Sequence, residues 1–133
     1  MNVQLGDNVP PWTMAAVDAG RMRTMAAILR DPYPVHWDRT ANERLGLGGR
    51  VINQGPLNLS YLVNMLHAWA GPGSVRRLTV AFARPVLDED CVTARATVLA
   101  LAEVGGERHA TCEIWLDRDG EKVVTGTAVV AVG

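Results

Sequence analysis

The spacing of hydrophobic positions changes once, a little past the middle of the chain. Met14, Val17, Met22, Met25, Ala26 and Leu29 recur at the intervals of one helical face, which predicts an amphipathic helix over residues 13–29 that stops at Arg30. Asp31-Pro32-Tyr33-Pro34 cannot continue it, because proline lacks the amide donor and drives the residue before it into an extended conformation. A rigid loop is predicted there, then a short polar helix from Arg39 to Leu45, broken by the glycines of Leu45-Gly46-Leu47-Gly48-Gly49. From Pro56 to Trp69 the chain is apolar nearly all the way round the helical wheel, so a helix there is buried on most sides. Pro56 suits its first turn, and Gly71-Pro72-Gly73 ends it.

Beyond residue 73 the period falls to two. Leu78, Val80 and Phe82 alternate with polar or small neighbours, and residues 91–104, 109–116 and 122–132 read as further strands. Gly105-Gly106 and Asp117-Arg118-Asp119-Gly120 are hairpin signals, and Pro85 with Asp88-Glu89-Asp90 marks another boundary. Residues 1–12, with Val3 and Leu5 before Gly6-Asp7 and Pro10-Pro11, suit an opening edge strand or coil. The pattern predicts an α+β fold over residues 1–133 as one unit, with an antiparallel sheet wrapped around one buried helix.

Composition narrows the functions available. Thirteen Lys and Arg nearly balance fourteen Asp and Glu, for a formal charge of −1, which leaves no broad field to hold nucleic acid or an anionic membrane. No run approaches eighteen apolar residues and the N-terminus lacks a basic region followed by an apolar one, so the expectation is a soluble, cytoplasmic protein. Cys91 and Cys112 fall in predicted strands without metal spacing and read as reduced core thiols.

Chemistry concentrates in Asp31-Pro32-Tyr33-Pro34-Val35-His36-Trp37-Asp38, two carboxylates and an imidazole on a proline-stiffened loop. Acid–base catalysis needs groups held within reach of the reacting atoms, and a stiff loop holds them. Asp31 and His36 are therefore a candidate acid–base pair, against the alternative of a turn-forming Asp and a packed His. Asp38 either orients the His36 ring or caps the next helix. Ser60 and Asn64 share a face of the buried helix and point either into a pocket or across the core. His67, His109, Arg76 and Arg77 read as structural or exposed.

The same eight residues resemble the D-x-N-P-x-H-x-D loop of the MaoC-like hotdog enzymes, the (R)-specific enoyl-CoA hydratases. About twenty residues on, Ile52-Asn53-Gln54-Gly55-Pro56-Leu57 falls where those enzymes carry the glycine that opens the central helix, and the helix and strands that follow keep their order. The resemblance implies a hotdog fold and hydration of 2-enoyl-CoA thioesters, or the reverse dehydration. Asp31 and His36 would hold the catalytic water and Gly55 would offer an N–H to the thioester oxygen. It implies no metal or redox cofactor, coenzyme A arriving as part of the substrate. Tyr33 replaces the loop asparagine, Gln54 the histidine common before the glycine, and Pro56 a methionine. Tyr33, Asn53 and Gln54 are thus candidate substrate-binding residues around an altered acyl pocket.

Asn53-Gln54-Gly55-Pro56 and Trp69-Ala70-Gly71-Pro72 also resemble the short MaoC-like subunit of actinobacterial steroid side-chain hydratases, which works with a different hotdog partner. So short a chain hardly encloses a CoA thioester and its sheet leaves an edge strand to be covered, so association is expected, as a homodimer or as a hetero-oligomer with a second hotdog subunit. A hotdog thioesterase and a non-catalytic subunit that completes a partner's tunnel are the alternatives.

Overall fold

The computed structural model describes residues 1–133. Strand β1 (Trp12–Met14) leads to helix α1 (Ala19–Leu29), a single 3₁₀ turn (Pro34–His36) and helix α2 (Arg39–Arg44). The long helix α3 (Gly55–Ala70) follows, then β2 (Val75–Phe82), β3 (Val92–Val104), β4 (Glu107–Arg118) and β5 (Glu121–Ala131). All pairings are antiparallel, in the spatial order β1-β3-β4-β5-β2. Helix α3 lies against all five strands, with Leu62, Met65 and Leu66 fully buried. Inward positions alternate along β3 and β4, from Val92, Ala94, Ala96 and Val98 to Ala110, Cys112, Ile114 and Leu116, as the period of two requires. This is the antiparallel sheet around one buried helix that the pattern predicts, and the hotdog arrangement that the resemblance implies.

Two expectations are corrected. The first helix does not begin at residue 13: Trp12, Thr13 and Met14 pair with Ala94, Thr93 and Val92 as an edge strand. The helix starts only after Asp18, whose carboxylate accepts the Gly20 N–H, an N-cap that satisfies an otherwise orphaned donor. It stops at Arg30, in the left-handed region at φ 53°. Cys91 is not a core thiol, for it is exposed just before β3. Cys112 is buried, and burial pushes its thiol up to about 11.

The segment 85–90 connects β2 to β3 and is fixed by its acidic residues. Asp88 is buried, accepts the Val51 N–H at 2.7 Å and pairs with Arg39 at 3.0 Å. Asp90 pairs with Arg50 at 2.5 Å and Arg118 at 2.9 Å and accepts the Leu87 N–H. Burial raises the Asp90 carboxyl, but the Leu87 N–H and the two guanidinium groups outweigh it and hold the group below the ordinary 3.8. A carboxylate with a depressed folded value stabilises the fold above its unfolded value and loses that contribution as pH falls through the folded one. Urea midpoints are expected to fall as pH drops below about 4, with a shallower fall in Asp90→Asn. Parallel curves for the two proteins would contradict this.

Candidate active site

The site begins with what holds the loop after α1. The Asp31 N–H donates to the Ala26 carbonyl, and the Trp37 indole Nε1–H donates to the Pro32 carbonyl at 2.9 Å. The buried Asn42 donates from Nδ2 to the carbonyls of Val35 and Arg50, both at 2.8 Å, and the Ile52 N–H donates to Val35 at 2.8 Å. The 3₁₀ turn is thus fastened to the strand-like segment 51–53. Asp38 takes the capping alternative, accepting the Ala41 N–H.

On this frame His36 is oriented by its own bond. Nδ1 lies 2.7 Å from the Ile52 carbonyl oxygen, which only accepts, so Nδ1 carries the hydrogen and the neutral ring presents its lone pair at Nε2. Nε2 stands 3.8 Å from Asp31 Oδ2, too far for a direct hydrogen bond and spaced for one small molecule bonded to both. Asp31 Oδ1 accepts the Tyr33 N–H at 3.2 Å, leaving Oδ2 for the pair. The His36 side chain is 13% exposed and that of Asp31 44%.

His36 opens on a cleft of about 350 Å³ lined by Ile52, Asn53, Gly55 and Asn58 on one side and by residues 82–85 on the other. Gly55 is the first residue of α3, and Gln54 before it supplies no side-chain cap. The helix start therefore brings a single free backbone donor, the Gly55 N–H, to the cleft at the positive end of the helix dipole, since Pro56 has no N–H and the Leu57 N–H donates to the Gln54 carbonyl. A Cβ on residue 55 would lie 3.1 Å from Phe82 Cζ, so glycine lets the Phe82 ring close over this point.

The structure brings His36, Asn53 and Gly55 together at the cleft, with Asp31 beside His36. Gln54 does not face it: its side chain is buried and donates from Nε2 to the Met22 carbonyl at 2.7 Å, tying α3 to α1. The expectation that Gln54 touches substrate is corrected to a packing role. Tyr33 is exposed and meets the His36 ring edge-on, with ring centres 6.0 Å apart, outside the residues that line the cleft. Ser60 donates to the Leu57 carbonyl of its own helix and Asn64 is exposed. Arg76 and His109 meet Glu107, at 2.7 Å in each case. No group of three His, Cys, Asp or Glu side chains converges in a metal-binding arrangement, and no helix is long and apolar enough to cross a membrane.

Sequence reasoning missed the far wall of the cleft, Phe82 to Pro85, and Asn58. Asn58 did leave a signal, a polar residue inside the most apolar helix. The wall comes from the end of β2, 24 residues beyond Asn58, which no local pattern joins to the loop.

A five-stranded sheet around one helix, with a histidine–carboxylate pair at the mouth of that helix, defines a hotdog protein with its site at the start of the central helix. The MaoC-like domain model matches residues 7–114, and the chain belongs to the MaoC-like dehydratase family. Among solved structures, the (R)-hydratase from A. caviae involved in PHA biosynthesis is 27% identical, with 98% of each chain covered and a TM-score of 0.85. The R-hydratase PhaJ1 from Pseudomonas aeruginosa is 21% identical, covering 98% of this chain and 82% of its own, with a TM-score of 0.83. The ChsH1-ChsH2 complex from Mycobacterium tuberculosis is 21% identical over the whole of both chains, with a TM-score of 0.80. Curated protein sequences give no match.

Proposed function

We propose that the protein adds water to 2-enoyl-CoA thioesters to give (R)-3-hydroxyacyl-CoA, or catalyses the reverse dehydration. The observation that carries this is the gap of 3.8 Å between His36 Nε2 and Asp31 Oδ2, with the other ring nitrogen spent on Ile52. A water in that gap donates one hydrogen to each acceptor. As its oxygen attacks C3, one proton passes to the pair, and a proton returned from the pair to C2 completes the addition, so the elements of one water enter the substrate. Charge that develops on the thioester oxygen meets the Gly55 N–H at the helix start. Coenzyme A enters with the substrate and no further cofactor takes part.

Arg84 stands exposed at the cleft, its one ion pair a long one of 3.8 Å to Glu121, and is suited to the phosphates of coenzyme A. Arg84→Glu is expected to raise KM for crotonyl-CoA about tenfold with kcat little changed. An unchanged KM removes Arg84 from this role.

Strand β2 ends the sheet with no partner on its outer side, and such an edge calls for cover. A second hotdog subunit, identical or different, would cover it beside the Phe82 wall. Beside a simple enoyl chain, the resemblance of Asn53-Gln54-Gly55-Pro56 and Trp69-Ala70-Gly71-Pro72 to the short subunit of steroid side-chain hydratases brings a bulkier, steroid-type chain into consideration. Incubation with crotonyl-CoA decides the reaction: loss of enoyl absorbance without free thiol supports hydration, whereas thiol release makes the protein a thioesterase.

A further inference from the structure

Asn58 brings an unused donor to the cleft. The residue is 4% exposed, its Oδ1 accepts the Asn53 Nδ2–H at 2.8 Å, and its Nδ2 donates to no group of the protein. Nδ2 is not sealed in: it keeps open surface, which the unpartnered amide oxygens of Asn42, Asn53 and Gln54 do not. The cleft beside His36 is the one cavity that Asn58 lines. Asn53 is itself held to the Tyr61 hydroxyl at 3.2 Å, and its bond to Oδ1 fixes which end of the Asn58 amide turns into the protein. The NH₂ end is thus oriented before any ligand arrives, the condition under which a donor is worth most to a reaction.

The place of Asn58 on α3 decides what it meets. Gly55 and Asn58 are three residues apart, neighbours on one face of the helix, and both line the cleft. A helical side chain leans toward the N-terminus, over the turn before its own Cα, which carries the Asn58 amide toward Gly55. The backbone supplies one donor there, the Gly55 N–H, because Pro56 has none and the Leu57 N–H is spent on Gln54. A carbonyl oxygen has two lone pairs, and in a 2-enoyl acyl group the thioester oxygen is the acceptor on which charge builds as water adds at C3. We infer that Asn58 is a second oxyanion donor, its Nδ2–H and the Gly55 N–H together holding the thioester oxygen. This rests on the hydratase reading above and adds a catalytic residue to it. Asn58 gives up no proton: it stabilises the charge by its hydrogen bond, and the oxygen returns to a neutral carbonyl when C2 is protonated.

The test assays Asn58→Asp and Asn58→Leu beside the wild-type protein for hydration of crotonyl-CoA. The Asp variant keeps the size of the side chain and an oxygen for the Asn53 Nδ2–H but loses the donor, and the Leu variant removes both without adding charge. Each is expected to lower kcat by about 10²–10³-fold, the range for one oxyanion donor, with KM within about threefold. A role confined to holding Asn53 gives near wild-type rates in Asn58→Asp and a loss only in Asn58→Leu, and that pattern overturns the inference. A loss carried by KM alone also overturns it, by placing Asn58 on a part of coenzyme A away from the reacting atoms, as do rates within about threefold of wild type in both variants. Should the added charge keep Asn58→Asp from folding, the infrared stretch of a ¹³C-labelled thioester carbonyl decides: it is expected at lower frequency when bound to wild type than to Asn58→Leu, and equal frequencies overturn the inference. All of these failures leave the hydratase reading standing, whereas the absence of hydration by the wild-type protein overturns both.

Discussion

Asp31→Asn and His36→Ala are each expected to lower kcat for crotonyl-CoA hydration by roughly 10²–10⁴-fold, the range for loss of one acid–base group, with KM changed far less. The argument is geometric. His36 offers one lone pair, aimed by its bond to Ile52, and Asp31 offers one free oxygen across a gap of 3.8 Å. Either loss leaves the water held by a single group. Because the two act on one molecule, the double variant should be scarcely slower than the slower single variant, as for residues that work as a unit. Neither side chain belongs to the apolar core, so urea midpoints should stay close to wild type. Rates within a few-fold of wild type, measured in the assembled complex, would instead make this chain a subunit that only completes a partner's site.

Gly126→Ala is expected to cost about 3 kcal/mol of stability, the upper range for forcing an added methyl group into packed structure. Gly126 sits in β5, opposite Val80 of β2 on one side and Ile114 of β4 on the other. A Cβ there would run into the Thr79 carbonyl oxygen and lie 3.0 Å from the Val80 Cα. These are backbone atoms in a paired strand, so no rotamer change relieves the clash and β2 must move outward. Residues 82–85, the far wall of the cleft, continue directly from that strand. Catalytic efficiency should therefore fall with stability. Thr127→Ala, an exposed neighbour on the same strand, should stay within about 0.5 kcal/mol. A urea midpoint for Gly126→Ala equal to that of wild type would show that β2 and β5 do not approach so closely.

Where periodicity and chain breakers agree, the sequence alone was enough to read the fold. Helix α3 lies between Gln54 and Gly71 because an apolar wheel, a first-turn proline and a Gly-Pro-Gly stop all point the same way, and the strands after residue 73 alternate between clear turns. The start of α1 misled because Met14 and Val17 fit a helical wheel, yet Met14 belongs to a strand whose partner, Val92, lies far along the chain. Local spacing carries no information about such a pairing. Cys91 misled for the opposite reason, being one residue outside a strand whose interior is buried.

At the site, the loop from Asp31 to Asp38 was legible because its chemistry is compressed into eight residues. The direction of each side chain was not. Gln54 precedes the glycine of the helix start and still turns into the protein to meet Met22, while Asn53, one residue earlier, lies at the cleft. Only the path of the backbone distinguishes these neighbours.

The loop from residue 85 to 90 also bears on the order in which the molecule assembles. Its side-chain bonds reach Arg118, Val51, Arg50 and Arg39 across sequence separations of 28 to 49 residues, and its backbone meets that of Val17. Each closure of that length carries an entropic cost, and none is recovered until the distant partner has arrived. The hairpins of β3, β4 and β5 need no such wait. In refolding, the β3-β4-β5 hairpins should gain amide protection first and Val51, Asn53 and Asp88 late, so that catalytic competence trails the first secondary structure in time.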